Sequence, residues 1–297
     1  MSDSHRGIFF MLLSAVIFAL MAALVRGVAT VNSYTMVAAR FVIGSAVCVG
    51  IFATGRDRPR WTAWPWLVTR GVVGGYAVVL LYWAIQHVGL AKAQMLSYTY
   101  VMFAAIMAVP VLGERLRPLQ WLAVTVAMLG TVLLCDLQTL SFKPADWIAL
   151  LSGFCSGVAV ICIARCRATD TSTNIFWSQS MFGLAIAAWP AATHWVTPTP
   201  MEWMWLALIG LLASAGQLSM TYAYKHTGAS QGSLLSLIAP VLCALIGVYY
   251  FHERCTVGFV VGASLILAAC AYMALNPVVH TPGPKARVRP PQTEEVH

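Results

Sequence analysis

Charge is scarce in this chain. Only 9% of its 297 residues are Asp, Glu, Lys or Arg, against about 25% in a soluble globular domain. That shortage excludes an ordinary water-soluble domain, and 60% hydrophobic residues with a mean hydropathy of +0.77 make lipid the solvent. Acids are rarer than cations, ten against eighteen. They are Asp3, Asp57, Glu114, Asp136, Asp146, Asp170, Glu202, Glu253, Glu294 and Glu295. None falls in the middle of an apolar run, where proton-coupled pumps commonly keep a carboxylate. The eight cysteines form no Cys-x-x-Cys pair and lie within or beside apolar runs, so they read as buried thiols rather than disulfide or metal ligands. His87 and His226 suggest helix-end roles, with proton handling as the alternative, and no histidine cluster suggests a metal. No Walker-type loop is present for ATP. No basic patch with interleaved aromatics suggests a nucleic-acid partner, so the net charge of +8 is read as a sorting signal and an attraction to anionic lipid headgroups. No cofactor is expected.

What the chain has in abundance is apolar runs of membrane-spanning length, about 20 residues each. They lie near 7–28, 34–54, 64–86, 91–112 and 118–136, then near 146–166, 173–193, 202–224, 229–251 and 255–275. A spanning β-barrel would show alternating segments of roughly 10 residues, not continuous runs such as Ile8 to Val25. The expected fold is an all-α polytopic membrane protein with ten transmembrane helices.

The runs come in two sets because the chain matches itself, without gaps, at a shift of 139 positions. That shift pairs Arg26 with Arg165, Gly44 with Gly183, Trp64 with Trp203, Gly71 with Gly210, His87 with His226, Gly89 with Gly228, Ser97 with Ser236, Glu114 with Glu253 and Arg115 with Arg254. Residues 1–138 then form a first five-helix repeat and 139–276 a second, with 277–297 a Pro-rich, polar tail expected to be disordered and cytoplasmic. With the amino terminus inside, twelve cations fall in cytoplasmic segments and four outside, so both termini are expected to be cytoplasmic. Five spans per repeat make the second repeat inverted relative to the first. Duplicated carriers with a site between their halves have this pattern, and a monomer suffices for it.

Gly228-Ala229-Ser230-Gln231-Gly232 fits the Gly-x-Ser-x-Gly nucleophile elbow, but the elbow needs a strand before it and a base nearby. Here two spanning helices flank it, and its repeat equivalent from Gly89 to Ala93 has no serine. A tight helix-helix turn explains both stretches, and no catalytic residue is expected.

Gly89 to Arg115 and Gly228 to Arg254 share one order: small residues, an apolar helix, then Glu-Arg. With Arg40-Phe41, Pro240 and the region of Gly130, they resemble the drug/metabolite transporter superfamily in its ten-helix EamA type, over roughly residues 7–275. The overall look and aromatic content are most similar to the YddG-type exporters of aromatic amino acids. One departure is Val101 at the position equivalent to Pro240, so the two halves need not flex alike. The resemblance implies a multi-pass transporter of the bacterial inner membrane. It would export aromatic or other apolar neutral amino acids, or similar small metabolites, by alternating access, with the small-molecule substrate and the lipid bilayer as its partners. The missing midplane acid argues against proton coupling. A broad-specificity, proton-coupled drug/metabolite exporter is the alternative, and a lipid flippase or membrane enzyme is more remote.

Polar and aromatic residues deep in apolar helices are the candidate lining of such a path. Tyr76, Tyr82, Tyr98 and Tyr100 could stack on an aromatic side chain, while Arg40, Gln179, Gln217, Ser236 and Ser14 could orient polar groups. Gln179 is the repeat equivalent of Arg40. Each has a plainer reading: Arg40 can snorkel, and Ser can bond its own backbone. Glu114, Arg115, Glu253 and Arg254 are candidates for helix caps or for a structural gate. Trp61, Trp64, Trp66, Trp195, Trp203 and Trp205 suggest a headgroup belt. Gly71-x-x-x-Gly75 and Gly153-x-x-x-Gly157 suggest close helix packing.

Overall fold

The computed structural model describes residues 3–27, 31–134, 143–252 and 255–280. These residues form α1 (Asp3–Gly27), α2 (Ser33–Ala53), α3 (Trp64–Val88), α4 (Leu90–Tyr98), α5 (Tyr100–Leu112), α6 (Pro118–Leu134), α7 (Asp146–Cys166), α8 (Ser172–Thr193), α9 (Pro200–Ala223), α10 (Ala229–Leu235), α11 (Ile238–Tyr250) and α12 (Val257–Leu275). Strand β1 (Glu114–Arg115) pairs antiparallel with β2 (Val279–His280), with Glu114 opposite His280. Val279 and His280 were expected to belong to the tail; residues 281–297 lie outside the described part.

Eight segments among the described residues are long and apolar enough to cross a bilayer. They are α1, α2, α3, α7, α9, α12 and two composites, α4 with α5 and α10 with α11. Helix α6 is apolar but has 17 residues. Helix α8 has 22 residues but does not join the apolar group, because it carries Thr173, Asn174, Ser178, Gln179 and Ser180, all buried. A helix with its polar side chains turned inward suits the interior of a bundle in lipid. The outward surface is apolar where it can be, with Val49, Leu119, Leu129, Val257 and Leu267 exposed.

Helix ends are set by local chemistry. Asn32, Thr171 and Thr256 each accept a backbone N–H at the start of α2, α8 and α12. Thr199 and Glu202 form a reciprocal capping box around Pro200 at the start of α9, which satisfies two otherwise orphaned donors. Gly113 ends α5 at φ 71°, in the left-handed region that glycine reaches without steric cost.

The packing is repeated like the sequence. Helix α3 packs on α7 and on α8, and α5 packs on α7. Shifted by one repeat, these contacts become α9 on α1, α9 on α2 and α11 on α1, and all three are present. The pairs α2 with α8 and α6 with α12 are their own equivalents. Small residues set the closest approaches. A Cβ on Gly75 would lie 2.8 Å from the Cα of Gly183, and one on Gly262 would lie 2.5 Å from the carbonyl oxygen of Gly130. Gly71 abuts Phe182 and the Ser178 carbonyl of α8, while Gly153 and Gly157 let α7 lie against residues 96–104. Both Gly-x-x-x-Gly pairs therefore serve packing. Trp64, Trp66, Trp195 and Trp203 are exposed as belt residues should be. Trp61 differs, since it packs edge-on against Trp177 and Phe182, and Trp205 packs against the cluster around Phe41 and Ile209.

Candidate functional site

Two spanning segments are interrupted at equivalent places, α4/α5 at Thr99 and α10/α11 at Ser236-Leu237. The causes differ. Pro240 has no N–H, so the carbonyl of Ser236 loses its usual donor and takes the tighter N–H of Ala239 instead, at 3.0 Å. In the first half Val101 stands at that position, and hydroxyl chemistry tightens the turn. The Thr99 hydroxyl donates to the Leu96 carbonyl at 2.5 Å, and the Thr99 N–H reaches the same carbonyl at 3.3 Å. Such back-bonding competes with the regular helix ladder. A Cβ on Gly153 would come 2.5 Å from the Thr99 hydroxyl, so α7 presses directly on this turn.

The two interruptions touch. The Tyr100 hydroxyl hydrogen-bonds the Ser236 hydroxyl, and Ser236 donates its own proton to the Ser233 carbonyl at 2.5 Å. Tyr100 is then the donor across the join. The Tyr98 ring lies beside Tyr100 with centroids 6.2 Å apart.

A buried cation lies between α3 and α8. Arg70 is 2% exposed, donates from Nη2 to Gln179 Oε1 at 2.7 Å, and has no partner for its Nε. Gln179 in turn donates to the Gly74 carbonyl at 3.3 Å. Gly74 makes this possible, because a Cβ there would lie 1.9 Å from Arg70 Nη1. Arg40, Tyr224, Cys162 and Cys166 are within electrostatic reach of the guanidinium. No carboxylate among the described residues pairs with Arg70, and Arg40 is half-buried with no hydrogen-bond or ion-pair partner among them. The Tyr224 hydroxyl is also buried without a partner.

At one end of the bundle Glu114, 1% exposed, accepts the Ala229 N–H at 2.5 Å, the Ser230 N–H at 3.1 Å and the Ser230 hydroxyl at 2.6 Å. A carboxylate from the α5–α6 connection thus caps α10, where anionic groups are favoured. Ser230 is held by this cap, which places the elbow-like stretch at the start of α10. Asp170 works similarly, accepting the N–H groups of Thr62 and Ala63 just before α3. Close to Asp170 a concavity of about 290 Å³ opens among the loops, lined in part by Arg56, Arg58, Arg60 and Asn174. In the first turn of α4, Lys92 pairs with Asp146, the first residue of α7, at 2.6 Å.

The residues singled out from sequence therefore scatter into groups. Tyr98, Tyr100 and Ser236 come together, Gln179 holds Arg70, and Arg40 is within electrostatic reach of it. Tyr82 packs in a separate apolar cluster with Met36, Phe41 and Leu206, and Tyr76 is half exposed on α3. Ser14 spends its hydroxyl on the Gly216 carbonyl at 2.9 Å, joining α1 to α9. Gln217 is buried with its Nε2 unpartnered. Glu114 caps a helix without pairing with Arg115, which is exposed on β1. Glu253 and Arg254 lie outside the described residues, as do Cys135 and Asp136. Sequence reasoning left Arg70 and Tyr224 out of the site. The available signal was an arginine six residues inside an apolar run, the same depth at which Arg40 was singled out in the preceding run.

Apolar spanning helices, paired interruptions and an inward-facing polar core define a polytopic membrane protein of the carrier class. Comparison with known proteins agrees. The model of the EamA-like transporter family matches residues 5–135 and 143–275, and the chain belongs to that family. It is 26% identical over 267 residues to the pseudopaline exporter CntI of Pseudomonas aeruginosa, covering 89% of this chain and 94% of that one. It is 25% identical to human solute carrier family 35 member G1 (89% and 77% covered) and 21% identical to the S-adenosylmethionine uptake transporter of Rickettsia prowazekii (69% and 70% covered). A solved crystal structure superposes with a TM-score of 0.78 at 19% identity, over 91% of this chain and 96% of the other, which shows the shared fold. The protein is thus a membrane transporter of small metabolites.

Proposed function

We propose that the protein exports aromatic or other apolar amino acids, or similar small metabolites, across the bacterial inner membrane, as the YddG-type exporters do. It does so by alternating access without proton coupling. The observation that carries this reading is the Tyr100–Ser236 join between two interruptions in equivalent helices. A link of that kind between halves is breakable at small cost and can be remade as the halves rock. Ten spans in two inverted repeats, with both termini cytoplasmic, fit the paired contacts of α3 with α7 and of α9 with α1. Glu114 then closes the cytoplasmic side by capping α10, and Lys92 with Asp146 lies toward the outer side. Glu114 is fully engaged as a cap, which supports a carrier that moves solute down its own gradient. Binding of an aromatic side chain falls to Tyr98 and Tyr100, and orientation of the polar end to Gln179 and its neighbours. A single chain supplies both halves, so a monomer is sufficient.

The test is entry of labelled phenylalanine into proteoliposomes with no ion gradient. Saturable entry, suppressed by excess unlabelled amino acid and weakened about tenfold, a barrier change near 1.4 kcal/mol, in Tyr100→Ala or Gln179→Ala is expected. Entry no faster than in empty vesicles contradicts the phenylalanine reading. Entry appearing only with a pH gradient favours the proton-coupled exporter.

A further inference from the structure

We infer that Arg70, held by Gln179, is a binding site for the carboxylate of the transported solute, so the substrate class is the small organic carboxylates, with no ammonium group required. The inference rests on the transporter reading and names the substrate class of that same site.

The argument is one of charge and unmet hydrogen bonds. A buried guanidinium without a counter-ion is costly, and buried polar groups are normally paired. Arg70 is 2% exposed, uses Nη2 on a neutral amide, and leaves its Nε without a partner. A second cation, Arg40, is within electrostatic reach and likewise without a partner among the described residues. The Tyr224 hydroxyl, buried and unpartnered, is within electrostatic reach of the same guanidinium. Every one of these groups can donate to an anion. The planar, forked guanidinium matches a carboxylate in particular. No acid among the described residues is bonded to this cluster, and Glu114, the acid within electrostatic reach of Tyr224, has its carboxylate engaged by Ala229 and Ser230, so the charge balance favours a solute whose net charge is zero or negative.

Gly74 and Gln179 supply the positioning. The glycine leaves room for Nη1 against the backbone of α3, and the amide bridges Arg70 to the Gly74 carbonyl. The guanidinium is therefore fixed before a ligand arrives, which lowers the ordering cost of binding. A merely structural arginine in this position would be expected to satisfy its Nε as well.

The experiment is thermal unfolding of the purified full chain in detergent, in sodium benzoate, succinate or phenylpyruvate, against sodium chloride at equal ionic strength and against phenethylammonium chloride. Carboxylates should raise the melting temperature of the native chain, Arg70→Gln should cancel that rise and Arg70→Lys should keep part of it. Phenethylammonium should have no effect. Equal shifts in native and Arg70→Gln protein, or a shift with the amine alone, overturn the proposal. A second arm decides even if none of these probes binds. Without ligand, the double variant Arg70→Met/Gln179→Leu, which removes the charge without orphaning the buried amide oxygen it holds, should melt at or above the native temperature; a lower melting temperature marks Arg70 as a structural brace and overturns the site. Carboxylate stabilisation without phenylalanine entry into vesicles leaves this inference standing while the amino-acid reading falls, and phenylalanine entry unchanged by Arg70→Gln does the reverse.

Discussion

A single methyl group tests the account of the polar core. In Gly74→Ala the new Cβ would meet Arg70 Nη1 at 1.9 Å, whereas at Gly50 a Cβ meets nothing within 4 Å. Alanine for glycine inside a helix is otherwise favourable by about 1 kcal/mol. Gly74→Ala is therefore expected to cut solute affinity about tenfold, a loss of 1.4 kcal/mol, and Gly50→Ala to leave uptake unchanged and the melting temperature equal or higher. Glu114 offers the second residue test. Its carboxylate accepts three hydrogen bonds at the start of α10, so Glu114→Ala should destabilise the protein by about 2 kcal/mol or more. Ser230→Ala, which removes one of the three, should cost about 1–2 kcal/mol, read by thermal unfolding. At this scale the sequence was partly legible. Arg40, Gln179, Tyr100, Ser236 and Glu114 could be chosen because polar residues in apolar runs are conspicuous. Which of them meet could not be read, because Gln179 finds Arg70 across 109 positions and Tyr100 finds Ser236 across 136. Ser14 and Tyr82 have the same credentials in sequence, yet packing commits one to the Gly216 carbonyl and the other to the Phe41 cluster.

Among the helices, the interruptions are the informative feature. Pro240 announces the second in the sequence, and Val101 gave reason to expect a difference between the halves. In the structure both segments are interrupted, with the Thr99 hydroxyl achieving in α4/α5 what the missing N–H of Pro240 does in α10/α11. Serine and threonine tighten turns through side-chain bonds that composition and hydropathy do not register. Replacing the proline restores a donor for the Ser236 carbonyl, so Pro240→Ala should straighten the segment. Its expected signature is a melting temperature at or above native together with uptake slowed about tenfold (1.4 kcal/mol). Equal loss of both would mean that the proline serves folding alone. Helix α8 shows the reverse limit of sequence reading. Its position was legible from the run near 173–193, but its polarity has meaning only once Asn174, Ser178 and Gln179 are seen turned inward.

For the whole molecule, the self-match at a shift of 139 positions was legible because Trp, His and Glu-Arg pairs recur in register, and the contacts repeat under the same shift. Sidedness rests on the distribution of cations, which is a sequence argument. In an otherwise cysteine-free chain, Asp57→Cys should be labelled only from the cytoplasm and Lys143→Cys only from outside; labelling of both from one side contradicts the inverted arrangement. The central claim is that two halves move one solute by turns, without a proton. Counterflow tests it most directly: proteoliposomes preloaded with unlabelled phenylalanine are diluted into a trace of labelled phenylalanine at equal pH inside and out. The account predicts a transient accumulation of label above equilibrium, unchanged when the pH gradient is varied. Label that enters only to equilibrium, or accumulates only when protons flow, contradicts it.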